Sequence, residues 1–81
     1  MTEAEIWTGL TEIFQDVFAD SSLVLSPSTT AGDIPGWDSV RMISIIVAAE
    51  EKFSVRLRAK EVDQLKSVGD LVAILSNKVN D

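Results

Sequence analysis

Apolar residues recur at helical spacing through most of this chain, and that recurrence limits the folds open to it. Ile6, Leu10, Ile13, Phe14, Val17 and Phe18 share one face of a helix expected from about Glu3 to Ala19. Thr2 and Glu5 have capping-box spacing at its start. Val40, Ile43, Ile46 and Val47 define a second helix, expected from Ser39 to Phe53. Met42, Ile45, Ala48 and Ala49 spread its apolar surface over more than one side, so it lies centrally or offers a face for docking. Val68, Leu71, Val72, Leu75 and Val79 mark a last helix, expected from Val68 to Lys78 with Ser67 as its cap. The only strand-like alternation, Val55-Arg56-Leu57-Arg58, is brief.

The connections complete the layout. Ser21 to Trp37 is long and carries Pro27, Gly32, Pro35 and Gly36. Leu23, Val24, Leu25 and Ile34 are expected to fasten it to the core. Ser54 to Lys66 has room for a turn or two of helix around Lys60 to Gln64. The expected fold is all-α: a four-helix bundle of three main helices and one short one, with a long loop between helices 1 and 2. Eighty-one residues suit a single domain, 1–81.

Composition removes most chemistries. There is no cysteine, hence no thiol nucleophile, disulfide or zinc–thiolate site. There is no histidine, hence no Ser–His–Asp triad and no imidazole ligand. Gly32 and Gly36 do not form a phosphate-binding loop. No catalytic residue and no metal ligand are therefore assigned. Asp33 and Asp38 form a carboxylate pair on paper, but acids in turns and caps are the commoner use. A net charge of −6 disfavours nucleic acid, and the second helix, with only Arg41 and Lys52, is no recognition helix. No run approaches the ~20 apolar residues of a membrane span, and the acidic start, Met1 to Glu5, is unlike a targeting peptide. The expected location is the cytoplasm, and the expected state is a monomer.

Charge is placed unevenly. Residues 1–38 hold seven acids and no Lys or Arg, a net −7. Residues 39–81 hold seven cations against six acids, a net +1.

One hydroxyl stands out. Asp33-Ile34-Pro35-Gly36-Trp37-Asp38-Ser39-Val40 places Ser39 where a loop enters the second helix. Free N–H groups and the helix dipole favour an anion there, so a phosphodiester on Ser39 would be well seated. The same position also suits a serine that only caps the helix.

Gly36-Trp37-Asp38-Ser39-Val40, followed by Glu50-Glu51-Lys52-Phe53, resembles the acyl carrier protein family, with its Asp-Ser-Leu core and downstream Glu-Glu-x-Phe. The likeness extends over nearly the whole chain. It implies that Ser39 is esterified by 4′-phosphopantetheine, taken from coenzyme A by a phosphopantetheinyl transferase using magnesium. The arm's thiol then holds acyl groups as thioesters. It implies that Asp38 is the neighbouring motif acid, and that the partners are acyl-activating, condensing or acyltransferase enzymes of fatty-acid, lipid or polyketide-type biosynthesis. Ile43, Ile46, Val47, Val62 and Leu65 are candidates to line a space for the acyl chain; the alternative for them is ordinary core.

Departures from the family pattern are specific. Arg41 stands two residues after the serine, where the family commonly has an acid, and Ser44 stands five after. Arg56, Arg58 and Lys60 add positive charge downstream. Val40, Arg41, Ser44 and Trp37 are the expected docking positions of a specialised carrier; the alternatives are tolerated surface variation at Arg41 and Ser44 and a Trp37 that simply packs over the loop. A peptidyl or aminoacyl carrier shares the same fold and arm. A small helical interaction domain with no modification shares the stripes but needs no reactive Ser39.

Overall fold

Thr2 and Glu5 satisfy each other's backbone at the start of α1, Glu3–Val17. Thr2 Oγ1 accepts from the Glu5 N–H at 3.2 Å, and the Glu5 carboxylate accepts from the Thr2 N–H at 3.0 Å. The computed structural model describes residues 2–79. Among them all regular structure is helical: α1, a 3-10 turn at Ala31–Asp33, α2 (Ser39–Phe53), α3 (Ala59–Asp63) and α4 (Val68–Val79). α1 ends before the expected Ala19. Phe18 caps it, and Ala19 takes a left-handed φ of 51°, which turns the chain out of the helix.

The predicted stripes meet in one core. Ile6, Leu10 and Phe14 of α1, Ile45 and Ala49 of α2, and Leu75 of α4 are all fully buried. Burying an aliphatic or aromatic side chain of this size contributes about 1.5–3 kcal/mol. α1 packs against both α2 and α4. At the surface of the first contact, Lys52 Nζ sits 2.9 Å from a Glu12 carboxylate oxygen.

The long connection is ordered by side chains and by its own carbonyls. Ile34 is buried, while Leu23 and Leu25 are half-buried against the core. Gln15 Nε2 donates to the Leu23 carbonyl at 3.1 Å. Val24 corrects the expectation for this segment: it is 83% exposed. It stands between two residues that face inward, and its own side chain is left to solvent.

The end of the loop closes α4. The Thr29 carbonyl accepts from the Val68 N–H at 2.8 Å, and the Pro27 carbonyl from the Gly69 N–H at 3.0 Å. These are donors that a helix start cannot satisfy internally. The expected Ser67 cap is also present, with its hydroxyl accepting from the Asp70 N–H at 3.3 Å.

α3 is held from both ends. The Glu61 carboxylate accepts from the Arg58 N–H at 3.0 Å and pairs with Lys78 of α4 at 3.0 Å. Upstream, Ser54 ends α2 in the left-handed region, and the Glu50 carboxylate accepts from the Leu57 N–H at 2.9 Å.

Candidate functional site

A tight turn sets the geometry. Trp37 N–H bonds the Ile34 carbonyl at 3.2 Å, with Pro35 and Gly36 between them and Gly36 at φ +85°. Pro followed by a residue of positive φ is the chemistry of a type II turn, and glycine adopts that φ without a Cβ clash. The turn delivers Trp37 onto the first helix. Its ring meets Phe14 edge-on, with centroids 5.2 Å apart, and lies 6.3 Å from Phe18. Trp37 is thus half-buried. The expected exposed docking anchor is instead a wall of the core, because the turn aims its ring inward.

Asp38 follows and is the N-cap of α2. Its Oδ1 accepts from the Arg41 N–H at 2.9 Å, and its Oδ2 lies 3.4 Å from the Arg41 guanidinium. The backbone N–H of Arg41 first, and its guanidinium second, hold the Asp38 carboxyl below the usual aspartate value. Asp33 works in the reverse direction at the Ala31–Asp33 turn, where its carboxylate reaches back to accept from the N–H of the cap residue Thr30 at 2.9 Å. Each acid is thus engaged with its own helix start.

Ser39 is the first residue of α2 and is exposed. Its hydroxyl makes no hydrogen bond among the described residues. The capping oxygen belongs to Asp38, so the serine is free for other chemistry. Ser39 also borders a concavity of about 330 Å³ whose walls include Trp37, Met42, Val62, Leu65 and Leu71. An anionic phosphodiester on Ser39 would meet the amino end of a fifteen-residue helix. An apolar chain tethered there would have an apolar recess within reach. The residues present therefore fit a phosphopantetheine arm.

The remaining expected residues divide into two groups. Val40, Arg41, Ile43, Ser44 and Val47 are all exposed along α2. Ser44 Oγ turns back to the Val40 carbonyl at 3.3 Å. Of the residues expected to line an acyl space, Leu65 borders the Ser39 concavity, while Ile43, Ile46 and Val47 border a second one between α2 and α3. Val62 borders both. Met42 and Leu71 also border the Ser39 concavity, although the sequence placed them only among the apolar residues of their helices. Met42 carried a signal, standing three residues after Ser39 on the same helical side. Leu71 carried none that separates it from the core stripe.

Among the described residues there is no cluster of metal-binding side chains, and no helix is long and apolar enough to cross a membrane.

The chain belongs to the acyl carrier protein family. The family model described as "Phosphopantetheine attachment site" matches residues 8–75. An acyl carrier protein of Acidothermus cellulolyticus is 40% identical over 77 residues, covering 95% of this chain and 92% of its own. One from Kineococcus radiotolerans is 44% identical over 78 residues, covering 93% of each. A meromycolate extension acyl carrier protein of Mycolicibacterium smegmatis is 32% identical, covering 91% of this chain and 75% of its own. The solution structure of a holo acyl carrier protein from Geobacter metallireducens superposes with a TM-score of 0.86 at 38% identity, covering 91% of this chain and 85% of that one.

The protein is a non-catalytic carrier of acyl groups with a 4′-phosphopantetheine prosthetic group. When bound, that group supplies a thiol that holds acyl groups as thioesters. Family membership implies a phosphopantetheinyl transferase and acyl-processing enzymes as partners.

Proposed function

We propose that Ser39 is the residue that bears the arm. The observation that carries this reading is the division of labour at the start of α2. Asp38 caps the helix, and Ser39 is left exposed at its amino end with no hydrogen bond to its hydroxyl among the described residues. Loading forms a bond between Ser39 Oγ and the phosphorus that bears the pantetheine in coenzyme A. It breaks that phosphorus's anhydride bond, releasing adenosine 3′,5′-bisphosphate. The serine proton goes to a base of the transferase. Asp38 serves here as a positioning residue, keeping the first turn of α2 formed around the serine.

Enzymes acting at Ser39 approach over the amino-terminal half of α2. The surface there is Val40, Arg41, Ile43 and Ser44, with no acid between Ser39 and Ala49. Partners that recognise it use apolar contact more than attraction of their cations to carboxylates. This is the chemistry of a specialised carrier in acyl-chain biosynthesis of the fatty-acid, lipid or polyketide type, working in the cytoplasm as a monomer. Ile43, Ile46, Val47, Val62 and Leu65 shelter the acyl chain.

Intact mass after incubation with coenzyme A, magnesium and a broad-specificity phosphopantetheinyl transferase tests the attachment site. The expected result is a gain of one phosphopantetheine that Ser39→Ala abolishes with the fold intact. Loading of Ser39→Ala would overturn the assignment.

A further inference from the structure

Two apolar concavities flank α2, and the same two side chains, Met42 and Val62, line both. The first holds Ser39 and has a volume of about 330 Å³. The second, of about 320 Å³, lies between α2 and α3, with Ile46, Leu57 and Ala59 in its walls. Met42 belongs to a fifteen-residue helix packed into the core. Val62 belongs to α3, a helix of five residues with none of them buried. A helix that short is not stable on its own, so the wall between the concavities has one firm side and one soft side.

We propose that Val62 is the residue that sets how long an acyl chain the bundle shelters. This rests on the reading that Ser39 bears the arm. A short chain entering beside Ser39 fills only the first concavity. A longer one reaches the second by the direct route between Met42 and Val62, the two side chains common to both. There it covers Ile43 and Val47, which are 65% and 47% exposed without it. Asp38 and Lys66 also line the first recess and Asp63 the second, but the shared wall of Met42 and Val62 is apolar, so the barrier between them is one of packing rather than of charge. Each methylene taken out of water favours the sheltered state by about fourfold. That gain continues with length only while space remains, and it stops where Val62 blocks the way. The Glu61–Lys78 pair ties α3 to α4 and limits how far it can give.

The test uses the full chain loaded at Ser39 from a series of saturated acyl-coenzyme A thioesters by a broad-specificity transferase. The rate of thioester cleavage by hydroxylamine is then read by intact mass for each chain length. In the unaltered protein the thioester lifetime should rise with length and then level off. Val62→Ala should move the levelling point to longer chains by about two carbons or more, since it removes two methyl groups from the shared wall. Alanine favours helix more than valine does, so α3 is not lost by that change. Val62→Leu, which enlarges the wall, should move the point to shorter chains. A levelling point that is the same in all three proteins overturns the proposal, and so does a lifetime that ignores chain length. Absence of any mass gain, or a gain that survives Ser39→Ala, would instead sink the attachment site on which the proposal rests.

Discussion

The carbonyl oxygen of Pro27 occupies the place that a side chain on Gly69 would need. Their backbones are joined by a 3.0 Å hydrogen bond, and a Cβ on Gly69 would lie 2.7 Å from that oxygen. The contact fastens the long connection to the start of α4, beside Ser67 and Val68 in the wall of the Ser39 concavity. Because the obstructing atom is backbone, the neighbour cannot swing away. Gly69→Ala should therefore destabilise the protein by about 1–3 kcal/mol, the usual cost of overpacking, despite alanine's better helix propensity. Urea unfolding followed by far-UV circular dichroism checks this. An unchanged midpoint would show that the strap gives way freely.

Asp38 makes a second prediction. Among the described residues its carboxylate is the side chain that caps the amino end of α2. Asp38→Ala should lower Tm by several degrees, whereas Asp38→Asn, which keeps an accepting oxygen, should lower it much less. In arm loading, Asp38→Ala should raise KM for the protein more than it lowers kcat, because the first turn around Ser39 frays. Equal Tm for both variants would show that capping is not what Asp38 contributes.

The acid side of the stability curve follows from the carboxylates. The Arg41 backbone N–H lowers the Asp38 value, and the Arg58 backbone N–H followed by Lys78 lowers that of Glu61. A value depressed by folding gives stability that is complete above the unfolded value and is lost as pH falls through the folded one. The urea midpoint should hold steady from neutral pH down to about 5 and fall below the ordinary carboxylate values of 4.5 and 3.8. The double variant Asp38→Asn, Glu61→Gln should show a shallower fall. An equally steep decline in that variant would place the acid sensitivity elsewhere.

The outer face of α2 supports a prediction about partners. Val40 and Ile43 are 68% and 65% exposed, so polar replacements there spare the core. Ile43→Ser should raise KM for arm loading by roughly tenfold, in the range of a substantial interface contact. The unaltered protein's KM should change by less than about twofold between roughly 50 and 500 mM sodium chloride, since few long-range charge attractions are there to screen. A steep salt dependence with a neutral Ile43→Ser would indicate docking through charge at another surface.

Much of the architecture was legible in the order of residues because its causes are local. The stripes of α1, α2 and α4 follow from spacing of three and four residues. The Thr2–Glu5 box and the Ser67 cap each act within one turn, so short motifs reveal them; Asp38 and Ser39 both suit the cap of α2 by type, and only the structure gives it to Asp38. The placing of Ser39 at the loop-to-helix junction is likewise a local matter.

What depended on distant partners was not legible. Leu23, Val24 and Leu25 are neighbours of similar character, yet only Val24 faces out, because the core offers room to the other two. Trp37 reads as an exposed aromatic until the Pro35-Gly36 turn lays it against Phe14 and Phe18. Pro27 and Thr29 cap α4 from some forty residues away with backbone carbonyls, which every residue type possesses and no sequence pattern marks. By itself the sequence determined where helices begin and end to within a residue or two, and that Ser39 stands at the loop-to-helix junction of α2. Only the tertiary structure decided which apolar residues face solvent and that Met42 and Val62 line two recesses at once. The reason is that burial depends on which remote surfaces meet, while helix formation depends on hydrogen bonds and side chains a turn apart.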